Sequence, residues 1–324
     1  MEAESSTPVT SLPTDLTREK PSLDDNGRFC FSIGFFLAFG GALVVNTIVV
    51  SAVLKTPDLR QKNSSKMVLS FLVSSILIVS TAMTVIAMSW YEEGKYIHPS
   101  VMTVLCALVW DFVIARNLTS CTLALTRLSS MLWPVTYQRI MKDKSIFFVL
   151  VPWLLSALLG IPALYGVLGV PNIKTFEYVY PPNQTVLHKI AMKTYVFVSI
   201  GVPVIVTCIA YGIMFYKVSK VKRSGSVTQG VPTNHHISKW RSGVTRALLA
   251  NLTSKLCINI PHIIGHMANL NKESAIFPAI HLLYALHYIL DPMMFVIFAQ
   301  QYRQACVHLF RGGNPEMSRV SDEG

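Results

Sequence analysis

The sequence predicts an all-α membrane protein, a seven-transmembrane helix bundle with a short amphipathic eighth helix. Three observations lead there. Of 324 residues, 52% are hydrophobic and 14% charged, with a mean hydropathy of +0.45, too apolar for an ordinary soluble domain. Apolar windows long enough to cross a hydrocarbon core, which takes roughly 20 helical residues, recur seven times. Lys and Arg concentrate in alternate connectors between those windows.

The windows run from Phe31 to Leu54, Lys66 to Trp90, Val101 to Leu132, Ile146 to Val170, Thr194 to Tyr216, Val244 to Leu270 and Ala275 to Ala299. The first connector carries Lys55, Arg60 and Lys62 before Lys66; the third carries Arg139, Lys142 and Lys144; the fifth carries Lys217, Lys220, Lys222, Arg223, Lys239 and Arg241. The even connectors are poorer in cations, with Lys95 beside Glu92 and Glu93, Lys174 and Lys189 beside Glu177, and Lys272 beside Glu273. Basic connectors stay in the cytoplasm, so the N-terminus is expected outside. The chain then divides into an extracellular tail (1–30), the transmembrane domain (31–299), an amphipathic helix (300–310) and a cytoplasmic tail (311–324). Met1 to Arg28 contains no apolar core, so no cleaved signal peptide is expected and the first span directs insertion. Asn183, in Asn183-Gln184-Thr185, is the sequon placed on the outer side and the expected glycosylation site.

Composition also excludes function classes. The net charge of +11 sits in short connectors against an anionic inner leaflet, not on a basic face, which argues for membrane lipids as partners and against nucleic acid. Cys30, Cys106, Cys121, Cys208, Cys257 and Cys306 lack CxxC spacing and lie mostly in apolar runs, so no disulfide framework, metal site or cofactor is expected. No grouping of nucleophile, base and orienting residue points to an enzyme.

Polar residues and prolines inside spans are costly and have a reason to be there. Asn46 stands in the first span, and Arg127 ends the third ahead of Trp133-Pro134-Val135-Thr136-Tyr137. Trp153 precedes Pro162 in the fourth, Pro203 precedes Tyr211 in the fifth, and Pro261 lies in the sixth. The seventh holds Asp291-Pro292-Met293-Met294-Phe295. In this order and spacing the set resembles the rhodopsin-like G-protein-coupled receptors, from Phe31 to Phe310.

That resemblance implies a plasma-membrane receptor that binds an extracellular small molecule or peptide and activates a heterotrimeric G protein through movement of the sixth span. Pro261 and Pro292 remove backbone hydrogen bonds and supply kinks. Arg127 would line the cytoplasmic cleft and Tyr211 would help hold it open. Read alone, Arg127 is equally an interfacial side chain reaching for the headgroups and Tyr211 an aromatic-belt residue. Phe298, Tyr302, Cys306 and Leu309 or Phe310 recur at helical spacing and form an apolar stripe, on which Cys306 is either a palmitoylation site or a plain anchor.

The sequence departs from the family in its core. Ser75 stands where the second span carries an acid, and Arg116 where the third carries a small polar residue that helps bind sodium. A fixed cation there repels a mobile one, and the remaining acid is Asp291, so Arg116 is expected to pair with Asp291; an Arg116 that snorkels or bonds carbonyls is the alternative. Lys255 and Asn259 replace Phe and Trp of the sixth span, share a helix face, and with Asn117 extend the polar core. Thr126 leaves Arg127 without an adjacent acid, and Arg241 begins the sixth segment where the family has Glu. Either high basal activity or failure to couple is the expected consequence. Met102 replaces the outer Cys of the third span, and the fourth connector holds no Cys, so the outer disulfide is missing.

Positions matching the outer pocket are Val109, Trp110, Val113, Tyr195, Ser199, His262, His266, His281 and Tyr284. Val109 removes the Asp of amine receptors and Ala285 the retinal-linking Lys of opsins, which leaves a peptide, a lipid-like acid or another non-amine ligand. Ile289-Leu290-Asp291-Pro292 and the loop Lys55 to Lys62 are similar to prostanoid receptors, although Leu282 replaces their carboxylate-binding Arg. His262 and His266, four residues apart, suit a metal, a pH sensor or polar pocket walls. Two other classes compete: a transporter or channel using Asp111, Arg116, Lys255 and Asp291, and a receptor-fold decoy that does not signal. No paired repeats support the transporter.

Overall fold

A computed structural model describes residues 25–90, 99–164, 170–172, 177–179, 186–224, 250, 253–267 and 275–311. The chain folds as a seven-transmembrane helical bundle. The first three spans are continuous helices, Asp25–Lys55, Asn63–Trp90 and Pro99–Leu132, and a short helix, Pro57–Gln61, turns the chain between the first two. The fourth span shares one long element, Pro134–Leu164, with the connector helix before it; the two join at Lys144, whose φ of -121° and ψ of 16° are non-helical.

The fifth span is built from Val186–Val196, a π-helical turn Phe197–Gly201, and Val202–Ser224. The sixth comprises the π turn Lys255–Asn259 and Ile260–Met267. The seventh, Ile276–Phe298, ends at Ala299, whose extended backbone swings the chain into a terminal helix, Gln300–Arg311. Among the described residues six helices are long and apolar enough to cross a membrane, and the sixth segment contributes a shorter apolar helix.

The fourth window was expected to stay helical to Val170. Instead the helix ends at Leu164, and Val170–Asn172 pairs antiparallel with Glu177–Val179, Val170 opposite Val179. Pro171 explains the strand, because the residue before proline is driven out of the α region.

Apolar packing divides into layers. Towards the end that carries the terminal helix, Val49, Val53, Leu59, Met67, Leu72, Leu123 and Phe295 form one buried cluster. Towards the opposite end, Ala42, Ile78, Val113, Val204 and Tyr288 form another. A polar layer that includes Asn46, Ser75, Arg116, Asn117, Asn259, His287 and Asp291 is buried with them. The fourth span is peripheral: Leu150, Leu154, Leu158 and Ile161 are exposed, as suits side chains solvated by lipid tails. Its inner side is anchored by Trp153, whose Nε1 donates to Ser70 Oγ at 2.8 Å while its ring meets Phe112 edge-on.

A hydrogen bond of this kind is worth about 1 kcal/mol. Trp153→Phe and Ser70→Ala are each expected to lower the thermal midpoint of the purified chain by a few degrees, and the double change by no more than the larger single effect. Fully additive losses would show that the two residues act independently.

Candidate functional site

Arg116 organises the polar layer. Its side chain is 1% exposed, and Nη2 donates to Asp291 Oδ2 at 2.6 Å. Nε donates to Ser75 Oγ at 2.8 Å, and Nη1 bonds His287 Nε2. Arginine has donors only, so His287 Nε2 must accept, which places the imidazole proton on Nδ1, directed at the Tyr284 carbonyl. The guanidinium carbon lies 4.5 Å from the ring centroids of both Phe71 and Tyr288, close enough for cation–π attraction from each. Ser254 Oγ donates to Asp291 Oδ1 at 3.5 Å. One ion pair thereby ties the second, third, sixth and seventh spans together. Ser75 acts as an acceptor for the guanidinium.

The neighbouring polar residues differ in how they are held. Asn46 Nδ2 donates to Ala42 O at 2.7 Å and to Tyr288 O at 2.9 Å, clasping the first span to the seventh. Asn117 Nδ2 donates to Val113 O at 3.0 Å. Asn259 is buried with no hydrogen-bond partner for either amide atom. Lys255 belongs to the π turn below it, and its side chain lies outside the described residues, as does that of His266.

At the end of the bundle nearest the terminal helix, the Arg127 guanidinium lies 5.7 Å from the Phe295 ring centroid and stands near the Tyr211 hydroxyl. Phe295 meets Phe71 edge-on at 6.1 Å and Tyr302 of the terminal helix at 5.9 Å. Tyr302 donates to Ser65 Oγ at 3.2 Å; burial pushes its phenol upward from the ordinary tyrosine value. Thr126, in the place of the family acid, turns to the second span and to its own helix, bonding Met67 Sδ and Leu123 O. The polypeptide around Arg127 is therefore held by aromatic faces and a phenol.

On the outer side, His262 stacks on Tyr284, centroids 3.9 Å apart and planes 10° from parallel. His281 meets His262 edge-on at 4.8 Å and bonds the Phe277 carbonyl through Nδ1. Val113 and partly buried Val109 belong to the adjoining apolar cluster. Trp110 and Tyr195 stack, and Trp110 Nε1 donates to the Tyr195 hydroxyl at 3.2 Å. That hydroxyl in turn donates to Leu159 O, so the pair braces the third and fifth spans against the fourth.

Two further residues turn inward. Ser199 is fully buried in the π turn, and its hydroxyl points back to Val196 O. Cys306 is 7% exposed and packs with Tyr302, Ala305 and Leu59, and burial pushes its thiol upward. The stripe carrying it faces the bundle, so palmitoylation finds no accessible thiol there. None of the six cysteines forms a disulfide. Among the described residues no three His, Cys, Asp or Glu side chains are grouped to hold a metal. Asn183 lies outside the described residues.

Four participants escape a residue-by-residue reading: His287, Ser254, Phe71 and Tyr288. The spacing of His287 and Tyr288, four and three residues before Asp291, places them on the same helix face and was the available signal. Ser254 and Phe71 come from other spans and carry no such mark.

Comparison with known proteins agrees with this architecture. The family described as 7 transmembrane receptor (rhodopsin family) matches residues 45–295. Protein trapped in endoderm-1 of Drosophila melanogaster is 22% identical over 219 residues, which cover 64% of this chain and 55% of that protein. The chain thus spans about half the length of the curated relative it matches.

Breaking one side of a buried ion pair costs about 3–5 kcal/mol, because the other charge is left uncompensated. Arg116→Asp and Asp291→Arg, each alone, are expected to lose most surface expression, and the two together to recover part of it, measured by labelling intact cells. A double variant no better than either single one would refute a functional pairing.

Proposed function

The chain belongs to the rhodopsin family of seven-transmembrane receptors, and on that premise we propose that it is a plasma-membrane receptor, N-terminus outside, that binds a non-amine ligand and activates a heterotrimeric G protein. The observation that carries this reading is the placement of Arg127. It stands at the inner end of the third span against Tyr211 and Phe295, where residues of the third, fifth and seventh spans meet and where a moving sixth span would uncover it.

The outer wall suits the ligand class inferred from composition. His262, His281 and Tyr284 present imidazole and phenol edges with no carboxylate at Val109 to hold an ammonium group, which favours a peptide, a lipid-like acid or another neutral-to-anionic molecule. Such a ligand acts only through its differential affinity for two conformations of the bundle. Asp291 is the natural relay, since it bonds Arg116 of the third span and Ser254 of the sixth at once. The Pro261 and Pro292 kinks flank that relay and give each helix a place to swing. With Arg116 as a resident cation, the bundle has no use for sodium.

Two measurements test this. Ligand-free G-protein activation in cells is expected above background for the unaltered chain and reduced at least roughly tenfold in Arg127→Ala, as for loss of a charge-assisted contact; a signal that survives the substitution sinks the coupling role. Replacing sodium by choline at constant ionic strength is expected to leave the thermal midpoint unchanged. A clear sodium-dependent rise would mean that the ion still finds a site beside Arg116.

A further inference from the structure

Asn259 is the last residue of the π turn Lys255–Asn259 and lies two positions before Pro261. It is 2% exposed, and both Nδ2 and Oδ1 are shielded and without a hydrogen-bond partner. A carboxamide brings two donors and an acceptor, and sealing them away unmatched carries the full desolvation cost. The other buried asparagines described are better placed: Asn46 donates twice and leaves its Oδ1 unmatched, and Asn117 donates once. Buried hydroxyls of the third and fifth spans bond backbone carbonyls, as Thr119 and Thr207 do. Among the described residues, Asn259 is the asparagine with both amide atoms buried and unmatched.

Its position makes the exception informative. Immediately below, Ser254 is tethered to Asp291; immediately above, Pro261 contributes no N–H to the helix. Between tether and kink the helix carries one residue more than an α turn would, a feature that accumulates at functional sites. Moving that extra residue along the helix rotates the residues it passes by about 100°, the angular step of one residue, and would carry the Asn259 amide to a different neighbour.

We propose that Asn259 preloads the sixth span: the conformation described leaves its amide sealed and unmatched, so a shift of the π turn that supplies a partner is favoured. The residue biases the bundle away from this conformation. This rests on the reading of the sixth span as the mobile element and adds the residue that sets its equilibrium.

The test compares Asn259→Leu and Asn259→Met with the unaltered full chain, purified in detergent. Both substitutions keep the number of side-chain heavy atoms and remove the unmatched amide. The thermal midpoint is expected to rise by a few degrees, and amide hydrogen exchange across Leu256 to His262 to slow by roughly fivefold or more. Asn46→Leu, which loses two real bonds, is expected to lower the midpoint and serves as the control. Midpoints that fall as they do for Asn46→Leu, unchanged exchange, or failure of both variants to fold would each overturn the proposal, because each would mean that the amide contributes to this conformation. Neither readout involves a G protein, so a chain that failed to couple would refute the function proposed above without touching this result.

Discussion

A guanidinium at the centre of a membrane bundle must be fully satisfied or it cannot stay, and the arrangement around Arg116 follows from that requirement. Desolvating the charge is so costly that one acid is insufficient. Asp291 neutralises it, Ser75 and His287 accept its remaining directed donors, and Phe71 and Tyr288 cover it with ring faces. Each of these groups is thereby given one permitted orientation. His287 accepts through Nε2, because arginine brings donors only. The bonds also fix relative helix positions, since the participants come from the second, third and seventh spans, with Ser254 adding the sixth through Asp291.

The centre communicates with Arg127 through shared aromatic rings. Phe71 lies under Arg116 and against Phe295; Phe295 lies over Arg127 and against Tyr302. A displacement of the ion pair would therefore be felt at Arg127 by contact between packed rings, without an intervening chain of polar groups. Tyr302 supplies a nearby phenol, but one committed to Ser65. The linkage is made by face-to-edge packing and cation–π attraction, each worth about 1 kcal/mol.

The same logic separates anchored elements from mobile ones. The first span is clasped to the seventh through Asn46, and the second is braced by Trp153 of the fourth. The described part of the sixth is held at Ser254, passes through a π turn that leaves Asn259 unmatched, and meets the seventh again in the stack of His262 on Tyr284. The unmatched Asn259 lies between those two contacts.

Much of the architecture was legible in the sequence, because a lipid environment permits few answers. An apolar run of span length must form a helix to satisfy its backbone, and the order of Asn46, Arg127, Trp153, Pro203, Pro261 and Asp291-Pro292 identifies which bundle the helices make. The polarity of the core was legible too, since Arg116 and Lys255 inside spans demand an explanation wherever they point. Direction was not. Ser199 and Cys306 stand at positions suggesting a pocket and a lipid face, yet both turn inward, because a π turn and the docking of Tyr302 set rotations that spacing alone does not encode. His287 and Ser254 became visible only when separate helices brought their side chains to one acid. The sequence by itself determined how many helices cross the membrane and that a charge is buried among them, since both follow from transfer free energies residue by residue. The tertiary structure alone decided which groups satisfy that charge, because satisfaction depends on the angles and distances between atoms far apart along the chain.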